Sequence, residues 1–168
     1  RDAGAPMRIV ETVVAVNEER KTSMVDRVVE ACGGSVGGKD IAVLGLTFKP
    51  NTDDMRDSPS LEIVPGLQSR GALVRAFDPQ GMSEAKQLLS DVVWCKDAYD
   101  AMTGADALVI VTEWNEFRAL DLGRMKSLLK QPVLVDLRNI YNAGEMAEAG
   151  LVYYSIGRPP VGAEEASS

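Results

Sequence analysis

The sequence predicts an α/β fold, a doubly wound parallel sheet of about six strands preceded by a long α-helix. Three observations carry this. Short apolar runs alternate with stretches of helical spacing from residue 41 to residue 155. Several runs, residues 41–46 and 107–111 among them, are apolar with hardly a break, as strands covered on both faces must be. Residues 6–31 hold one apolar stripe at helical spacing ahead of the first strand.

In that leading helix Val10, Val13, Val14, Met24, Val25 and Val28 form the stripe, and Glu11, Glu18, Glu19, Arg20 and Lys21 take other positions. Asn17 interrupts the stripe. Pro6 suits a first helical turn, and Gly33-Gly34 suits the stop. A helix of roughly 25 residues is some 37 Å long, more than one compact domain requires. Its spare length is expected to pack on a second domain or on the same helix of a second subunit. Strands are expected over residues 41–46, 73–77, 92–94, 107–111, 133–137 and 152–155, with helices over 60–69, 83–89, 98–102, 122–129 and 143–149. The connections recur as βα units, which make a doubly wound sheet. The expected division is a helix over 1–32, a sheet domain over 33–158 and a Pro-rich, then polar, disordered tail over 159–168.

Bulk composition narrows the chemistry. A net charge of -7 argues against nucleic acid as the main partner, since phosphate neutralisation needs an excess of Lys and Arg. The absence of histidine excludes a Ser-His or Cys-His nucleophile pair within the chain. Cys32 and Cys95 have neither CxxC nor metal spacing and fit a reducing cytoplasm; Cys32 reads as a structural thiol. No apolar run reaches membrane-spanning length, and no signal peptide is visible. The chain starts without Met and reads as a piece of a longer chain or a processed one.

The chemistry is expected just beyond the carboxyl ends of the strands, where open α/β sheets bind ligands. The first strand-to-helix turn runs Gly45-Leu46-Thr47-Phe48-Lys49-Pro50 and lacks the GxGxxG that lets backbone approach a pyrophosphate. The fold is Rossmann-like, but recognition at this loop must come from side chains. Lys49 is either a solvated surface cation or a point charge for a phosphate ester or other anion, and Phe48 is either core or a surface for a base or sugar ring. Arg56 offers a bidentate fork to an anion or a salt bridge to Asp53 or Asp54. The Asp53-Asp54 pair, without a third ligand, better suits loop fixing than a metal. Ser58-Pro59 reads as a helix cap and first helical residue. Asp78, after the second strand, reads as a turn or cap residue, with a ribose contact as the alternative. Trp114 is a stacking surface or a lid on the core, and Arg138, after the fifth strand, is expected to converge with Lys49 across the crevice.

The run from Gly45 to Ser60 resembles the start of the C-terminal, UDP-binding domain of the UDP-glucose/GDP-mannose dehydrogenases. Phe77-Asp78-Pro79, Val111-Thr112-Glu113-Trp114-Asn115-Glu116-Phe117, Asp136-Leu137-Arg138-Asn139 and the helix carrying Ile9-Val10-Glu11 and Asn17-Glu18-Glu19-Arg20-Lys21 resemble that family in the same order. The Thr-Glu-Trp and Asn-Thr-Asp-Asp-Met-Arg forms resemble its UDP-glucose branch more than the GDP-mannose or UDP-N-acetylmannosamine branches. The resemblance implies oxidation of the sugar C6 alcohol to a carboxylate in two steps with two NAD⁺. It also implies that the catalytic cysteine, lysine, asparagine and aspartate, and the GxGxxG that holds NAD, lie in an upstream domain, so that no catalytic residue and no metal site is expected in this chain. Phe48, Lys49 and Arg138 would contact the UDP-sugar, UDP-glucose in the first instance. Arg56 would reach the NAD pyrophosphate across the domain interface. The long helix would join the domains and form the centre of a cytoplasmic homodimer. The alternatives are a stand-alone nucleotide-sugar-binding module, a GDP-mannose or UDP-N-acetylmannosamine dehydrogenase relative, or a helix-driven scaffold with a vestigial pocket.

Overall fold

A computed structural model describes residues 24–156 and 160–162. Most of the expected leading helix, the upstream part of any dimer contact and the end of the expected tail lie outside the described residues. Within them, helix α1 (residues 24–31) leads into β1 (Asp40–Leu44), α2 (Ser60–Ser69), β2 (Leu73–Phe77), α3 (Met82–Leu88), β3 (Val92–Trp94), α4 (Ala98–Met102), β4 (Ala107–Ile110), α5 (Asn115–Arg118), α6 (Leu122–Leu128), β5 (Val133–Asp136), α7 (Ala143–Glu148) and β6 (Val152–Ser155). The strands form one parallel sheet in the order β3-β2-β1-β4-β5-β6. The chain runs outward from β1 to β3, then returns to lay β4 beside β1. The crevice at that reversal is where such sheets bind ligands.

The alternation of side chains explains the two apolar layers. Ile41 and Val43 of β1 and Ala107 and Val109 of β4 enter one core, with Val25, Val28, Ile63, Val64 and Leu67 from α1 and α2. Ala42 and Leu44, with Leu108 and Ile110, enter the opposite core, with Met102, Phe117, Met125 and Met146. Both faces are covered, so the central strands carry no polar face. Helix α1 is drawn close to α2 because residue 66 is glycine: a Cβ there would lie 2.8 Å from Val25 Cγ2. Arg70 pairs with Asp26 across the two helices at 2.8 Å, and Arg27 Nη2 donates to the Ser155 carbonyl at 2.8 Å.

Differences from the expected elements are local. β1 stops at Leu44 because Gly45 turns the chain at a φ of +92°. β4 and β5 each stop one residue short of expectation. The short helix α5 was not expected: its four residues follow a buried tryptophan in a stretch that reads as a loop. Val161, placed in the disordered tail by the sequence, is instead paired antiparallel with Tyr153 through two backbone hydrogen bonds of 2.9 Å. Among the described residues no helix is long and apolar enough to cross a membrane.

Cys32, at the end of α1, is mostly enclosed. Burial pushes its thiol up to about 11, opposed by the nearby Lys39 ammonium and reinforced by Asp106. The unfolded thiol ionises near 8.5, so between about pH 8.5 and 11 the unfolded chain binds fewer protons than the folded one, and stability falls as pH rises. Thermal midpoints measured from pH 7 to 10.5 should decline above pH 8.5, and Cys32→Ala should flatten that part of the decline. At pH 8 the folded thiol should alkylate roughly a hundredfold more slowly than a free cysteine.

Candidate functional site

The carboxyl edge of the sheet is organised by two buried carboxylates. Asp78, at the end of β2, is almost fully enclosed. Its Oδ2 accepts from the backbone N–H of Leu46 (2.7 Å) and Thr47 (3.1 Å) and from the indole Nε1 of Trp114 (3.2 Å), with the Thr47 hydroxyl at 3.2 Å. Its Oδ1 accepts from Gln80 N–H (2.9 Å) and Gly81 N–H (2.7 Å). One side chain therefore ties the loops after β1, β2 and β4 together. The local bonds are those of the turn residue the sequence suggests, and a carboxylate so occupied is not a free ribose ligand. Trp114 is buried in the core with its indole nitrogen on Asp78, so it is a lid and not a stacking surface.

The loop after β1 is pinned further at its base. Thr112 donates its hydroxyl to the Thr47 carbonyl at 2.7 Å. Ser58 and Ser60 both donate to the Leu46 carbonyl, at 2.7 and 2.6 Å. Ser58 thus reaches back to the β1 loop besides accepting the Ser60 N–H at 3.2 Å, while Pro59 takes the N-cap position of α2. Above this base Phe48 is 46% exposed and Lys49 is exposed. The loop held by these buried bonds thus presents a large aromatic ring to solvent next to a cation.

Arg56 stands on the other flank of the same loop. Its Nε and Nη2 each meet an oxygen of Asp54 at 3.1 Å, and its N–H bonds Asp54 Oδ1 at 2.9 Å. The pairing holds the Asp54 carboxyl below the usual carboxylate range, chiefly through the side-chain hydrogen bonds from Arg56. The salt bridge anticipated from spacing is present, and the Arg56 side chain is still 89% exposed. It borders an open groove of ≈ 680 Å³ lined also by Thr52, Met55, Leu61, Glu84 and Leu88. Among the described residues no group of three or more His, Cys, Asp or Glu is placed to hold a metal.

The second carboxylate, Asp136, does for the β5 end what Asp78 does for β1 and β2. It is fully buried and accepts from Arg138 N–H (3.0 Å), Ile140 N–H (2.8 Å), Tyr141 N–H (3.0 Å) and Tyr153 Oη (2.6 Å). Arg138 is thereby held at the same carboxyl edge as the loop that carries Lys49, on a strand two places from β1. Its immediate neighbour is Glu113, at the end of β4: Nε and Nη2 of Arg138 lie 2.8 and 2.7 Å from Glu113 Oε2. Sequence reasoning singled out neither Glu113 nor Asp136. The available signal was an acidic residue at or just past each strand end.

The description "UDP-glucose/GDP-mannose dehydrogenase family, UDP binding domain" fits residues 42–143, well over half of the chain. The chain belongs to the UDP-glucose/GDP-mannose dehydrogenase family. Among members, the UDP-glucose 6-dehydrogenase of Rhizobium meliloti (strain 1021) is 57% identical over 159 residues, which is 95% of this chain and 36% of the relative. The UDP-glucose 6-dehydrogenase TuaD of Bacillus subtilis (strain 168) is 45% identical over 99% of this chain and 36% of its own length. The chain thus spans about a third of these dehydrogenases, the C-terminal third. Among solved structures, a UDP-glucose dehydrogenase from the hyperthermophilic archaeon Pyrobaculum islandicum superposes with a TM-score of 0.71 at 32% identity, over 88% of this chain and 32% of that one. The NDP-N-acetyl-D-galactosaminuronic acid dehydrogenase of Methanosarcina mazei Go1 gives 0.75 at 27% identity, over 86% and 30%. The family's UDP-binding domain takes in Phe48, Lys49, Arg56, Glu113 and Arg138.

Proposed function

We propose that this chain is the UDP-sugar-binding part of an NAD-dependent UDP-glucose 6-dehydrogenase, which oxidises UDP-glucose to UDP-glucuronate in two steps with two NAD⁺. The observation that carries the reading is the site at the sheet reversal. A half-exposed Phe48, the Lys49 ammonium and the Arg138 fork share one carboxyl edge in a chain 57% identical to a dehydrogenase of that name. A diphosphate asks for that chemistry: a mobile point charge on one side and a planar set of donors on the other. Phe48 supplies an apolar face for the base or a sugar ring. The role of these residues is to bind and orient, and the reacting groups belong to an upstream domain of the same protein.

NAD, when bound, supplies the hydride acceptor. Bare backbone for its pyrophosphate is lacking at the β1–α2 turn, where residues 46–49 all carry side chains. The upstream domain therefore holds the dinucleotide, and this chain offers it Arg56. That residue fits a pyrophosphate contact, because Asp54 fixes its guanidinium while leaving it open to solvent. To the stretch ahead of β1, which ends in α1, this reading assigns the joining of the two domains and the pairing of two subunits in the cytoplasm.

Calorimetric titration with UDP tests the binding role. Lys49→Ala and Arg138→Ala should each weaken UDP roughly tenfold, the worth of one charge-assisted contact. Arg56→Ala should leave both UDP affinity and the thermal midpoint unchanged, since its side chain is solvated and directed to a different ligand. Unaltered UDP affinity in Lys49→Ala would remove this loop from the nucleotide site.

A further inference from the structure

We infer that Glu113 is a positioning residue for Arg138, holding its guanidinium ready for the nucleotide's phosphates; this rests on the nucleotide reading above. Arg138 Nε and Nη2 both reach a single oxygen, Oε2 of Glu113, at 2.8 and 2.7 Å. That contact uses one side of the guanidinium. Among the described residues Nη1 has no hydrogen-bond partner, so the outer edge of the fork is left for an anion.

The base of this device is rigid. Glu113 lies between Thr112 and Trp114, both buried. Thr112 Oγ1 bonds the Thr47 carbonyl at 2.7 Å, Trp114 Nε1 bonds Asp78 at 3.2 Å, and Trp114 N–H closes a tight turn on the Thr112 carbonyl at 3.0 Å. On the other side Asp136 holds the Arg138 backbone N–H at 3.0 Å. The two residues are 25 positions apart and meet only because β4 and β5 are paired. A free arginine side chain samples many rotamers, and ordering it at the moment of binding weakens binding. Glu113 removes that disorder before the ligand arrives. Its negative charge near the phosphates opposes binding, but both side chains are partly solvated, so screening makes the repulsion the smaller effect.

A double-mutant cycle read by UDP titration of the full 168-residue chain separates the possibilities. Glu113→Ala should weaken UDP roughly five- to tenfold. Glu113→Gln, which keeps an acceptor oxygen and drops the charge, should stay within about twofold of the parent. Glu113→Ala combined with Arg138→Ala should bind no worse than Arg138→Ala alone, because the effect of Glu113 passes through Arg138. Amide spectra confirm that each variant is folded. Multiplicative losses in the double variant, or unchanged or tighter binding in Glu113→Ala while Arg138→Ala weakens, would overturn the inference alone. An Arg138→Ala chain that binds UDP like the parent would overturn the nucleotide role of Arg138 and the inference with it.

Discussion

Asp78→Ala should lower the unfolding free energy by about 4 kcal/mol and abolish UDP binding with it. The carboxylate is 1% exposed and accepts from the backbone of Leu46, Thr47, Gln80 and Gly81 and from the Trp114 indole. No buried side-chain oxygen among the described residues is left unpaired to take over as acceptor. Removing the acceptor strands several buried N–H groups at once, each costing about 1–3 kcal/mol if left unmet. Water can enter the vacated volume and meet some of them, which keeps the total below their sum. Asp78→Asn should lie between, because its amide N–H₂ faces donors wherever it replaces an oxygen. Asp53→Ala, an exposed carboxylate on the same loop, is the control and should stay within about 0.5 kcal/mol of the parent. Urea midpoints at constant m-value measure all three. A domain of this size has on the order of 5–15 kcal/mol to lose, so Asp78→Ala removes a large part of it.

Gly45→Ala should cost about 3 kcal/mol through two separate effects. The residue has a φ of +92°, a conformation that a side chain rarely adopts. A Cβ there would also lie 2.5 Å from Thr112 Cβ and 2.6 Å from Thr112 N. Thr112 has little room to retreat, since Val111 N–H is bonded to the Leu44 carbonyl at 2.9 Å and the Thr112 hydroxyl to the Thr47 carbonyl at 2.7 Å. Relief must come from moving the loop that carries Phe48 and Lys49. The variant should therefore lose UDP affinity even at temperatures where it remains folded. A variant with parental stability would mean that the β1 and β4 ends are less tightly joined than the distances say.

Much of the fold is legible in the sequence because the central strands report their own environment. Ile41-Ala42-Val43-Leu44 and Ala107-Leu108-Val109-Ile110 are apolar at every position since both faces are covered, and their alternate side chains enter different cores. What escaped was short or long-range. The four residues of α5 are too few to show a period. Val161 pairs with Tyr153 in a stretch whose composition reads as tail. The candidate site divides the same way. The Arg56–Asp54 pair spans two residues and is visible from spacing. The turn bonds of Asp78 to Gln80 and Gly81 are equally local, whereas its bonds to Leu46, Thr47 and Trp114 cross 32, 31 and 36 residues and exist only once β1, β2 and β4 are assembled. The same holds for Arg138, whose partner is Glu113 across the β4–β5 pairing, a contact that no local spacing announces.

The site proposed at the carboxyl edge of the sheet takes uridine diphosphate through Phe48, Lys49 and Arg138. An amide NMR titration of this chain, first with UDP and then with GDP at fixed low salt, tests it most directly, because it detects binding even at about millimolar affinity. The expected result is saturable shifts for UDP, concentrated at Phe48, Lys49 and Arg138 and weaker for GDP. Shifts confined to other parts of the sheet, or none with UDP, would contradict it.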